Sequence, residues 1–189
     1  ALANKRPDRL PCQVHGWMSY YLEHYLGGMD SWQAFEKFGM DFAIYVSPRY
    51  TYADQSLANW REERTDLGLD HNGNRCELLQ ITTPKGTLRK TIAHTDVTAY
   101  DTEYLLKDLN DFEIWNAYLP VPGGVDFSPI QEVRDRLGER GIVRSHPFSP
   151  GQGSPCQSFC ILFGTENAIM LGMDEPQTLH QILEAILQK

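Results

Sequence analysis

The sequence predicts an α/β fold carrying an antiparallel excursion, and three observations predict it. Short apolar runs that stop at turn residues, such as "DFAIYVS" before Pro48, have the length and composition of buried strands. Other stretches repeat apolar residues every three or four positions, as amphipathic helices do. Between them, "NRCELLQITTPKGTLRKTIAH" is a pair of β-like runs joined by a turn, which reads as an antiparallel hairpin.

The elements follow in order. "ALANKRPDR" reads as the tail of a helix whose earlier turns are cut away, with Pro7 ending it. After the Pro7-Asp8 turn, "RLPCQVHGW" (9–17) is a short β-like run. "MSYYLEHYLGG" places Tyr21, Leu22 and Tyr25 at helical spacing and stops at Gly27-Gly28. "SWQAFEKFG" is a helix with Ser31 as its cap, Ala34, Phe35 and Phe38 on one face, and Gly39 at the exit. With the strand that follows, the first 47 residues read β-α-β, a crossover suited to a parallel pair.

The hairpin spans about 74–94, with Pro84 and Gly86 in its turn and threonines that favour a pleated surface. "TEYLLKDLNDFEIWNAYL" predicts a helix over 102–119, with Leu105, Leu106, Leu109, Phe112 and Trp115 as its apolar stripe. "SPIQEVRDRLGERG" predicts a helix capped by Ser128, with Pro129 in the first turn and Gly141 as the stop. "IVRSHPF" is a third buried strand. The Gly/Pro loop "SPGQGSP" suits a ligand or a close backbone approach. The last helix, "DEPQTLHQILEAILQK", takes Asp174 as cap and Pro176 in its first turn. Leu179, Ile182, Leu183 and Ile186 form its core face.

With 189 residues the chain is long enough for one domain, 1–189, with a real core. Three parallel-type strands flanked by helices close no sheet by themselves. The chain therefore reads as the amino-terminal part of a TIM (β/α)8 barrel, with the hairpin carried on a βα loop. The net charge of −8 and the lack of a basic run exclude a nucleic-acid footprint and disfavour an anionic membrane surface. No signal peptide or membrane-spanning run is present, so a cytoplasmic location is expected. The four cysteines form no C-x-x-C pair. Cys156 and Cys160 share a face if their stretch is helical, which opens zinc or redox chemistry. The plainer expectation is small buried thiols in a reduced cytosol.

In a barrel, chemistry sits at the carboxyl ends of the strands. That rule selects His15, Trp17, Ser47, Arg49, Ser145 and His146 as pocket candidates, and Tyr20 joins them at the start of the first helix. His15 is a general acid or base, or a hydrogen-bonded core histidine. Arg49 binds an anionic substrate, or pairs with an acid of "REERTD". His146 faces the pocket, or simply ends its strand. The tyrosines at 20, 21, 25, 45, 50 and 52 stack on a flat ligand, or pack with their hydroxyls exposed. No catalytic role and no metal ligand is assigned.

Five stretches, in order and spacing, resemble the uroporphyrinogen decarboxylase superfamily. They are "NKRPDRLPCQVHGW", "FGMDFAIYVS", "TPKGTLRKT", "YLLKDLNDF" and "FGTENAIMLGMDEPQTLHQILEAI". The likeness covers the whole chain and about the first half of the family's barrel. The superfamily includes the decarboxylase and cobalamin-linked methyltransferases. The resemblance implies that the decarboxylase's two substrate arginines, set in M-R-Q-A-G-R-Y-L, fall at Gly16 and Tyr20. Its aspartate after the second strand falls at Pro48, and its tyrosine after the third at Ile161. Proline offers no side-chain acceptor, and neither glycine nor tyrosine neutralises a carboxylate.

The resemblance therefore implies the methyltransferase branch, acting on a small methylated substrate. Zinc activates a thiol in that branch through a His-x-Cys pair and a distant Cys. Zinc and corrinoid are expected only in the full-length protein, because residues 1–189 contain no His-x-Cys. A corrinoid protein is the expected partner, and a homo-oligomer is compatible. The alternatives are a non-catalytic half-barrel that binds a tetrapyrrole or a partner subunit, and a decarboxylase of porphyrin biosynthesis with relocated arginines. A gene continuing past Lys189 with His-x-Cys and a later Cys is expected for the enzyme, and one ending there for the binding protein.

Overall fold

The computed structural model describes residue 6 and residues 9–146, 148–149 and 153–189. The helix tail at the start, the Pro7-Asp8 turn, Pro147 and part of the Gly/Pro loop lie outside the described residues. The elements in chain order are α1 (Ser19–Tyr25), α2 (Ser31–Lys37), β1 (Phe42–Tyr45), β2 (Arg49–Thr51), α3 (Asp54–Ala58), β3 (Arg61–Leu69), β4 (Arg75–Thr83) and β5 (Gly86–His94). They continue with β6 (Ala99–Glu103), α4 (Leu109–Tyr118), β7 (Gly124–Asp126), α5 (Ser128–Leu137), a 3-10 turn (Gly138–Arg140), β8 (Gly141–Arg144), α6 (Pro155–Phe163), α7 (Thr165–Asp174) and α8 (Pro176–Leu187). The fold is mixed α/β, and no sheet among the described residues closes. The chain divides into two compact units, one of residues 1–49 and 125–146, the other of 50–124 and 147–189.

In the first unit, β1 and β8 form a parallel pair in the register Phe42↔Gly141 to Tyr45↔Arg144. Gly141 permits it, since a Cβ there would stand 2.1 Å from the Phe42 carbonyl oxygen. Phe35, Phe42, Ala43, Ile44 and Leu137 make the core, with Leu22, Leu26 and Ala34 in a smaller cluster. The predicted strand 9–17 pairs in no ladder among the described residues. Pro11 has no N–H to donate, and the stretch is held through Cys12, whose carbonyl accepts from Asp41 N at 2.8 Å and whose N–H donates to Asp41 Oδ2 at 2.9 Å. The parallel partner of β1 is thus β8 rather than residues 9–17, and β8 is half-buried rather than buried.

Helix ends also differ from the expectation. The cap of α2 is Asp30, one residue before Ser31. Its Oδ1 accepts from Gln33 N at 2.8 Å, and Gln33 Oε1 accepts from Asp30 N at 2.9 Å. This reciprocal box satisfies two amides that a lone serine would not. Ser128 opens α5 instead of capping it, with its N–H and hydroxyl both donating to Asp126. The helix ends at Gly138, whose φ of 58° is the left-handed conformation that stops helices, three residues before Gly141.

The second unit is built on a four-stranded antiparallel meander, β3-β4-β5-β6. The predicted hairpin is its centre, β4 and β5, paired Thr83↔Gly86 to Arg75↔His94. Two flanking strands enlarge it, and sequence periodicity did not show them. All nine residues of β3 are exposed, so it has no inward face to alternate. Its charges, with Arg64 paired to Glu77 and Arg75 to Asp66, keep an open edge hydrophilic. One face of the meander contributes Leu79, Ile81, Leu88 and Ile92 to a core with Phe112 and Trp115 of α4, Phe159, Leu162 and Phe163 of α6, and Ile182 and Ile186 of α8.

The predicted helix over 102–119 is shorter, because residues up to Glu103 belong to β6 and Asp108 caps the helix by accepting from Asp111 N. Leu105 and Leu106 are buried in the segment before it. The last helix has the predicted core face, with Ile182 and Ile186 buried and Leu179 and Leu183 partly buried. Glu175 rather than Asp174 precedes it.

Candidate functional site

The site lies in the first unit, at the carboxyl ends of β1 and β8. Parallel pairing in register brings Tyr45 and Arg144, the last residues of the two strands, side by side. The Arg144 guanidinium lies over the Tyr45 ring, 4.4 Å from its centroid. His15, from the stretch anchored by Cys12, completes the group. Its Nδ1 is 3.2 Å from Arg144 Nη1, and its Nε2 is 3.2 Å from the Tyr45 hydroxyl. His146 stacks on Tyr45 with centroids 5.2 Å apart and planes 10° apart.

This geometry assigns the protons. Arginine only donates, so His15 Nδ1 is the acceptor of the Arg144 bond. Nε2 then carries the hydrogen and donates to the Tyr45 oxygen. The Tyr45 hydroxyl hydrogen is left for another acceptor. Arg144 is half-buried and, among the described residues, has no carboxylate within ion-pair reach. A partly desolvated cation of this kind suits an anion. Together the side chains can bind an anionic group and offer it one phenolic and several guanidinium donors.

Tyr45 is shared with a cavity of about 350 Å³. Its walls include Gly16, Trp17, Asp30, Trp32, Phe35 and Tyr45. The Trp17 indole packs edge-on against Phe35 and stacks with Phe38 and Tyr21. Its Nε1 is buried and has no hydrogen-bond partner among the described residues.

Of the seven residues selected from sequence, the structure gathers His15 and His146 around Tyr45 and puts Trp17 in the wall of the adjoining cavity. His15 is exposed and hydrogen-bonded, so it is no core histidine. Tyr20 stacks instead on His24, with centroids 4.0 Å apart. Ser47 is exposed, and Ser145 donates a long 3.5 Å bond to the His146 carbonyl. Arg49 pairs with Asp126 at 3.5 Å, not with an acid of "REERTD". Asp126 lies below the usual carboxylate range, chiefly because the Ser128 backbone N–H and then its hydroxyl donate to it. Sequence reasoning named Tyr45 only among the tyrosines that could stack on a flat ligand, and it missed Arg144. The signal available for Arg144 was that it follows the apolar pair Ile142-Val143 at the end of the predicted third strand.

Cys156 and Cys160 do share α6, but Cys156 is exposed and Cys160 only half-buried, so neither is the fully buried thiol expected. Burial, and then the neighbouring Cys156, push the Cys160 thiol up from its ordinary value. Among the described residues, no group of three or more His, Cys, Asp or Glu side chains is arranged to hold a metal ion. No helix of the described residues is long and apolar enough to cross a membrane. Comparison with protein-family models, with curated proteins and with solved structures finds no match to this chain.

Proposed function

We propose that the chain belongs to a uroporphyrinogen decarboxylase-like enzyme of the methyltransferase branch, as the amino-terminal part of a (β/α)8 barrel that acts on a small methylated substrate. The observation that carries this reading is the cluster His15, Tyr45, Arg144 and His146 at the carboxyl ends of two paired parallel strands, where barrel enzymes keep their chemistry. The departures from the decarboxylase pattern support the branch: Pro48 is buried, and Tyr20 is occupied with His24. In this reading a zinc site and a corrinoid, both held outside residues 1–189, supply thiolate activation and methyl carriage. The residues of this chain bind and orient the substrate. Arg144 fixes its charge, and the Tyr45 hydroxyl, positioned by His15 Nε2, donates to an oxygen or nitrogen of the bound molecule.

The alternative, a non-catalytic half-barrel for a tetrapyrrole or a partner subunit, draws on the open edges of the two-stranded β1-β8 sheet. A decarboxylase with relocated arginines is a third reading, for which Arg144 is the available cation. Zinc analysis of the full-length protein, followed by methyl transfer to cob(I)alamin from a panel of methylated amines, thiols and aryl ethers, tests the first. Expected are bound zinc and a transfer rate that falls at least tenfold in Tyr45→Phe. No transfer from any donor by zinc-loaded protein overturns it, and consumption of uroporphyrinogen selects the decarboxylase.

A further inference from the structure

We infer that the cavity beside Tyr45 and the Arg144 guanidinium form one binding site for a small flat carboxylate, with a single apolar ring in the cavity and its carboxylate on Arg144 and Tyr45. The size comes first. About 350 Å³ is at the low end for small-molecule pockets, enough for one ring and too little for a tetrapyrrole. The walls come second. Trp17, Trp32, Phe35 and Tyr45 stand among the lining residues, beside the polar Asp30 and Ser31, so the walls suit a flat ring that also carries a polar group.

Charge then sets the orientation. Asp30 lies in the lining, and its carboxylate is committed to capping α2, so that wall repels an anion. Arg144 lies over Tyr45, the residue the cavity shares with the cluster. One terminal nitrogen of Arg144 is engaged by His15, which leaves further donors for a carboxylate. The Tyr45 hydroxyl hydrogen, without an acceptor among the described residues once His15 Nε2 donates, is a second donor at the same end.

The inference names the substrate class of the proposed site and rests on that reading only for its catalytic meaning. It is tested on the purified protein by calorimetric titration with benzoate and with its neutral isostere benzamide, with thermal unfolding as the control for folding. Benzoate is expected to bind at least tenfold tighter than benzamide, the worth of a charge-assisted bond. Arg144→Gln is expected to erase that preference, and Tyr45→Phe to reduce it. Trp17→Phe should weaken both probes by a similar factor. Equal affinity for the two probes, or a preference that survives in folded Arg144→Gln, overturns the inference. Benzoate binding without methyl transfer from any donor leaves it standing and removes the methyltransferase reading. Methyl transfer indifferent to saturating benzoate does the reverse.

Discussion

Arg144 and Cys160 show how neighbours decide what a side chain does. Arg144 is one of several arginines in the sequence, and most of the others that have a partner are paired with carboxylates, as Arg49 is with Asp126 and Arg140 with Glu36. Arg144 instead has an aromatic face beneath it and an imidazole beside it, and among the described residues no carboxylate neutralises its charge. Cys160 differs from Cys156, one helical turn earlier, because burial and the nearby Cys156 both oppose its thiolate. Its folded value is raised because the thiolate is penalised, so folding stability falls as pH rises from the thiol's ordinary range through the folded value. Iodoacetamide at pH 8 is therefore expected to alkylate Cys156 before Cys160, with the gap narrowing as pH increases. Peptide mapping by mass spectrometry checks it, and equal rates at pH 8 contradict it.

At the scale of elements, the β1-β8 pair matters most, because the site exists only while the two strand ends stay in register. Gly141 opposite Phe42 is the tightest point. Gly141→Ala forces its methyl against backbone that cannot move aside without shifting the ladder, and a cost of about 1–3 kcal/mol is expected. Hydrogen exchange should show faster exchange at the Val46 amide, which donates to the Arg144 carbonyl. Unchanged protection there would show that the ladder absorbs the methyl.

The helices were legible from sequence because their apolar residues face one core, as Ile182 and Ile186 of α8 do. At α2 both Asp30 and Ser31 suit the cap position and only the geometry chooses the carboxylate, whereas α5 takes no side-chain cap and Ser128 opens it after Phe127. Strand β3 could not be read, because every residue of it is exposed.

For the whole molecule, the division into two units carries an expectation for stability. Leu88 is 1% exposed within the meander core of the second unit, and Leu88→Ala is expected to cost about 2–5 kcal/mol there. Amide exchange should accelerate through β4 and β5 while β1 and β8 keep their protection. Acceleration of equal size in β1 and β8 would show a single cooperative unit.

The sequence by itself determined the α/β class, the amphipathic helices, the central hairpin and the apolar strand read as "DFAIYVS", whose end at Tyr45 came from the structure. These follow from local periodicity and turn chemistry, which act within a few residues. It also singled out His15, Trp17 and His146. Tertiary structure alone decided that β1 pairs with β8, that Arg49 is spent on Asp126, and that Arg144 lies on Tyr45. Those are contacts between residues about eighty to a hundred positions apart. No local pattern encodes them, because they depend on which side chains the register of a parallel pair brings face to face.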